Sequence, residues 1–255
     1  MSRTPSPRRL LLFTKPARAG RVKTRLIGDL TPVDAARLHA AFLDDLLARL
    51  QGGDFELRIA WALDPDQEMP AGPVPGVRQR GNDLGERLYR ALSDAAAPGD
   101  IAGAVAAVGS DHPTIPLELV HRAFAAIEAG TDVVLGPAED GGYYLIALRS
   151  GAVSPLLFTE IAWSTEQVLT STLERCRELG LEVEILPTAS DLDTPDDLRR
   201  LAARMAVSDL GCPRTRDLLV SLGFISAGSG RESGSQSKIQ NPKSKIGVTA
   251  AEPSP

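Results

Sequence analysis

Short apolar runs at residues 10–13, 57–62, 77–80, 104–108, 132–135, 143–148 and 181–186 alternate with longer stretches whose apolar residues recur at the period of a helix. Few folds accept that alternation. A helix between two strands carries the chain across the sheet, so the pattern predicts an α/β protein with a mainly parallel central sheet flanked by helices, Rossmann-like in outline. The run 104–108 holds only alanine and valine, side chains slim enough for a strand covered on both faces, and is expected at the centre of the sheet. Thr31, Pro32 and Asp34 read as cap, first turn and capping acid of a helix to residue 50, with Leu38, Phe42, Leu43, Leu46 and Leu50 on its buried face. Further helices are expected at 84–97, from Pro116 onward, from a Ser164/Gln167 capping box to 179, and from Thr194, Pro195 and Asp197 to about 205.

Length and charge narrow the rest. A chain of 255 residues can bury a full core, and a single domain over 9–225 is expected between a flexible start at 1–8 and a disordered tail at 226–255, where apolar residues are too few to offset ordering entropy. Lys and Arg number 28 against 33 Asp and Glu, a net charge of −5, which gives no field suited to nucleic acid. Cys176 and Cys212 form neither a CxxC pair nor a disulfide framework and read as free thiols in a reducing cytoplasm. The apolar run 10–13 is too short for a signal-peptide core, and no run approaches a membrane span of roughly 18 residues.

Four segments fall where strands end, the edge at which open α/β sheets bind ligands. Lys15 to Arg25 carries five cations in eleven residues and suits a loop around a di- or triphosphate, with Lys23 and Arg25 as the neutralising pair; Val22 before Lys23 rules out a Walker A loop. Asp111, after the small-residue strand, offers the carboxylate that Mg²⁺ takes beside phosphate oxygens. Glu139 and Asp140, followed by Gly141 and Gly142, offer a general base and close substrate approach, or else a tight turn. In 191–197, Asp196 and Asp197 suit the first turn of a helix, whereas Asp193 is free to give a metal at Asp111 its second carboxylate. Trp163 reads either as a stacking surface for a sugar or base or as core. His112 and His121 read as a turn residue and a helix-surface residue.

Together and in this order these segments resemble the nucleotide-diphospho-sugar transferase superfamily with its GT-A fold, and more narrowly bacterial glycosyltransferase-like proteins related to phospholactate guanylyltransferases. The matching motifs are FTKP at 13–16 with VKTRL at 22–26, GNDLGER at 81–87, GSD at 109–111 with Pro113, GPAEDGGYY at 136–144, WST at 163–165 and DTPDDL at 193–198. The resemblance spans about residues 9–222. It implies a nucleotide with phosphates near Lys15, Lys23 and Arg25 and a divalent Mg²⁺ or Mn²⁺ held by Asp111 and Asp193; by position, Gln79, Gly81 and Asn82 are the candidate contacts to the edge of its base. Only Asp111 is acidic in its segment, a departure from the Asp-x-Asp motif of metal-dependent glycosyltransferases. The expected activity is transfer of a sugar from a nucleotide sugar to a small acceptor, with Asp140 or Glu139 as base and Gly141, Gly142 and Trp163 near the substrate. The alternatives are transfer of a nucleotidyl group from an NTP to a phosphorylated small molecule, with Lys23 stabilising the transition state, and a nucleotide-binding regulatory domain without activity.

Overall fold

The computed structural model describes residues 7–96 and 101–226. The expectations for 1–6 and for the tail from 227 onward lie outside the described residues. Among the described residues, seven strands form one sheet: β1 (Arg8–Thr14), β2 (Glu56–Trp61), β3 (Gly76–Arg78), β4 (Ala104–Gly109), β5 (Val133–Pro137), β6 (Tyr143–Arg149) and β7 (Val183–Ile185). Their order is β3-β2-β1-β4-β6-β5-β7, which puts the small-residue strand β4 in the middle. All neighbours pair in parallel except β6, which runs antiparallel to both β4 and β5.

Among the described residues there are six α-helices, α1 (Pro32–Leu50), α2 (Leu84–Ala95), α3 (Leu117–Ala129), α4 (Val168–Glu178), α5 (Pro195–Val207) and α6 (Pro213–Ser221); the first four lie between strands, and α5 and α6 follow β7. Successive strand residues face opposite sides, so each strand feeds two cores. On one side Leu10, Leu12, Ile59, Ala106 and Val134 pack with α1 and α3 through Leu43, Leu46 and Phe124. On the other, Leu11, Ala60, Ala107 and Leu135 meet Leu88 and Leu92 of α2 and Cys176 of α4. A third cluster joins the outer side of α1, through Leu38 and Phe42, to Leu198, Leu201 and Met205 of α5 and to Leu219 of α6. Both cysteines are free and buried, and burial pushes the Cys176 thiol up to about 11.

One local expectation fails, and one helix is unexpected. Ser164 does not cap α4: its backbone is left-handed (φ 64°), the helix begins at Val168, and the Gln167 N–H is met instead by Thr165 Oγ1 at 3.3 Å. Helix α6 has no counterpart among the sequence expectations, because its cap is remote. Asp45, buried on α1, accepts the Arg214 and Thr215 N–H groups at 3.1 and 2.8 Å.

Candidate active site

Strand order reverses between β1 and β4: the chain leaves β1 for β2 on one side and later returns to β4 on the other. A crevice opens beyond their carboxyl ends at such a switch point. There Phe13 pairs with Gly109, and the Ser110 N–H donates to the Phe13 carbonyl at 3.1 Å, so the loops after both strands start side by side.

The basic loop is pinned from below by Ala17, Val22 and Leu26, all buried, which leaves Lys15, Arg21 and Arg25 in solvent and turns Lys23 inward. Lys23 adopts left-handed backbone angles (φ 47°, ψ 41°), an unfavourable conformation for a side-chain-bearing residue. Its side chain is only 2% exposed. Nζ donates to the Leu192 carbonyl (2.7 Å) and to Asp193 Oδ1 (3.1 Å) and lies 2.5 Å from Asp111 Oδ1. Burial alone would push this ammonium down, but the two carboxylates outweigh it and hold the pKa above its ordinary value. Burial opposes ionisation of Asp111 as well, and Lys23 prevails, holding that carboxyl below its usual range. Arg25 adds a looser contact to Asp193 Oδ2 at 3.6 Å.

The capping box of α5 aims Asp193. Asp197 Oδ2 accepts the N–H groups of Asp193 (3.1 Å) and Thr194 (2.6 Å), while Thr194 Oγ1 accepts the Asp197 N–H, so the turn before the helix is fixed.

Asp111, Asp193 and the Leu192 carbonyl thus already share one cation. Among the described residues no group of three or more His, Cys, Asp and Glu side chains is arranged to hold a metal. Two carboxylates and a carbonyl are nevertheless an all-oxygen set that suits Mg²⁺, which completes its sphere with phosphate oxygens and water.

The acidic loop lies beside the Asp191–Asp193 segment: Ala138 bridges Ala189, and the Glu139 N–H donates to the Ala189 carbonyl at 3.1 Å. Asp140 and Glu139 are exposed. Asp140 Oδ1 accepts the Gly142 N–H at 2.9 Å, an Asx turn that fixes one carboxylate oxygen. Gly141, at φ 87°, has the Glu166 backbone where a Cβ would stand, so its lack of a side chain admits the chain of its own neighbour loop.

Three residues outside the sequence-derived set complete this edge. His112 is buried, stacks on Tyr144 with ring centroids 5.1 Å apart, and has Nδ1 3.7 Å from Asp191 Oδ1. Burial raises the Asp191 pKa, against the favourable His112 contact and with the negative charges of Asp140 and Asp111 adding to the rise. His39 of α1 is 4% exposed and bonds the Lys15 carbonyl through Nε2 at 3.0 Å, tying the basic loop to the helix beneath it. The sequence carried a signal for two of them: Asp191 is spaced to share a side with Asp193, and His39 falls on the apolar face of α1.

The expected positions for the base, and Trp163, lie at the end of β1 and the start of α2. Gln79 Nε2 donates to the Ala60 carbonyl at 2.8 Å and reaches the Thr14 carbonyl at 3.4 Å, which places it beside the end of β1. Asn82 and Gly81 belong to the cap of α2: Asp83 Oδ1 accepts the Glu86 N–H, Glu86 Oε2 accepts the Asn82 N–H, and Arg87 donates to the Gly81 carbonyl. Trp163 is half-buried against Gly85 and meets Tyr143 edge-on, with centroids 6.5 Å apart.

The family model described as "Uncharacterized protein conserved in bacteria (DUF2064)" matches residues 45–165. A candidate nucleotide-diphospho-sugar transferase from Desulfovibrio desulfuricans G20, known as a crystal structure, is 34% identical over 85% of this chain and 95% of its own, with a TM-score of 0.78. A cytidylyltransferase from Leptospira borgpetersenii serovar Hardjo-bovis is similar in fold alone, at 13% identity and a TM-score of 0.52 over 89% of this chain and 100% of its own. No curated protein matches. No helix among the described residues is long and apolar enough to cross a membrane. With a third of its residues identical across nearly the whole of the Desulfovibrio protein, and with the same fold, the chain belongs with that protein to the nucleotide-diphospho-sugar transferase superfamily.

Proposed function

We propose that the protein is a glycosyltransferase that moves a sugar from a nucleotide sugar to the hydroxyl of a small acceptor. The observation that carries this reading is the division of the site by charge. Lys15, Lys23 and Arg25 stand on the β1 side, whereas Glu139, Asp140 and Asp191 gather on the β5 and β7 side. The first group suits a diphosphate. The second repels a phosphorylated acceptor and suits a neutral hydroxyl, which needs a carboxylate to take its proton. Asp140 is the favoured base, since the Gly142 N–H fixes Oδ1 and leaves Oδ2 to receive the proton. A divalent ion held by Asp111 and Asp193 would neutralise charge on the departing diphosphate. The description of the Desulfovibrio relative agrees with this chemistry.

Nucleotidyl transfer is a second reading, favoured by the meeting of Asp111 with Asp193 on one cation, since the Asp-Thr-Pro aspartate resembles a metal ligand of nucleotidyltransferases. The products separate the two. Nucleotide sugars and NTPs are first screened with Mg²⁺ by thermal shift, where a specific ligand at 100 times its Kd adds about 2.7 kcal/mol. The ligands that bind are then incubated with hydroxylated and phosphorylated acceptors. Acceptor-dependent release of a nucleoside diphosphate is expected; release of pyrophosphate from an NTP overturns sugar transfer, and binding without either product overturns both.

A further inference from the structure

We infer that Lys23 is a built-in cation for the two carboxylates of the site, and that a divalent ion and a phosphate group enter by exchange with it. An ammonium has three N–H donors and no others. In Lys23 all three have partners within the protein: the Leu192 carbonyl, Asp111 Oδ1 and Asp193 Oδ1. Lys23 therefore cannot grip a phosphate without releasing at least one of these oxygens. Conversely, the carboxylates turn one oxygen each to a buried charge, while their side chains are 53% and 39% exposed, open to a second cation from solvent. A metal arriving alone meets an ammonium that has nowhere else to go, because a 2% exposed cation stripped of its partners is costly. A metal arriving with phosphate brings the anion to which Lys23 can turn. Metal and phosphate binding are thus coupled through one side chain, and each must strengthen the other by the same factor.

This inference rests on the metal reading of Asp111 and Asp193, and the experiment separates the two. Mn²⁺ alone, without nucleotide, is titrated calorimetrically into the full-length wild type and into Lys23→Met, Lys23→Gln and Asp111→Asn. Removing the resident cation is expected to tighten Mn²⁺ binding at least tenfold, although it removes a residue of the phosphate site; Asp111→Asn is expected to abolish binding. If Asp111→Asn binds like the wild type, the metal reading fails. If Asp111→Asn loses binding while the Lys23 variants bind no tighter than the wild type, the exchange alone fails. A second measurement needs no variant. Reductive methylation mapped by mass spectrometry should leave Lys23 protected while exposed Lys15 reacts, saturating Mg²⁺ should raise the Lys23 rate, and added inorganic pyrophosphate should lower it again. A Lys23 rate indifferent to Mg²⁺ overturns the exchange.

Discussion

Asp140 shows how one side chain can be read for structure and for chemistry at once. Its Oδ1 closes the turn on Gly142, a bond that an asparagine carbonyl makes equally well. Asp140→Asn should therefore keep the wild-type melting temperature while turnover falls about 100-fold or more, the usual effect of a lost general base, with the donor KM nearly unchanged. Steady-state kinetics beside a melting curve check this, and a change confined to donor KM would make Asp140 a binding residue. At this scale the sequence singled out Lys23, Asp111, Asp140 and Asp193 by composition and position. It did not reveal that one ammonium joins Lys23 to both Asp111 and Asp193, nor that His112 turns inward onto Tyr144. Such contacts follow from which strands are neighbours, and hydrophobic periodicity carries no record of strand order.

Elements were legible where their signals are local. Thr31 caps α1 through the Asp34 N–H and Thr194 caps α5 within a reciprocal box, as their sequences predict. Helix α6 went unread because Asp45, 170 residues from Thr215, supplies its cap, and the short run 213–221 buries only Thr215, Leu218 and Leu219. Asp45→Ala should accordingly cost about 2 kcal/mol, the upper end for a lost cap, against about 1 kcal/mol for the exposed Thr31→Ala; urea unfolding midpoints compare them. Asp132 links three strands by a different device. It takes Arg149 Nε at 2.9 Å and the Glu182 N–H at 3.0 Å. Burial would raise its pKa, but these partners outweigh it and hold the carboxyl below its ordinary 3.8. The sign follows: a depressed folded-state value stabilises the protein above 3.8 and ceases to do so as pH falls through the folded value. Asp132→Asn should lose about 1.5 kcal/mol at neutral pH and converge on the wild type in acid. A stability gap independent of pH would show that the charge of Asp132 contributes nothing.

At the scale of the whole molecule, the βα alternation and the central place of β4 were legible because a parallel sheet leaves a repeating signature. The antiparallel insertion of β6 was not, since a buried strand looks alike in either direction. Ile225 is 4% exposed and belongs to the cluster shared by α1, α5 and α6. A chain ended after Ser226 should melt with the full-length protein, whereas one ended after Phe224 should lose about 2 kcal/mol or more, as for removal of a buried aliphatic side chain; two melting curves decide it. The placement of Lys23 also sets an order in time. Its acceptors include Asp193, 170 residues further along, so a growing chain has the basic loop long before it has the carboxylates that seat it. Until that late segment is made and docked, the ammonium lacks two of its three partners, the Leu192 carbonyl and Asp193. Ligand capture at the paired carboxylates therefore requires a chain made and folded past Asp193, rather than one in which only the first strands exist.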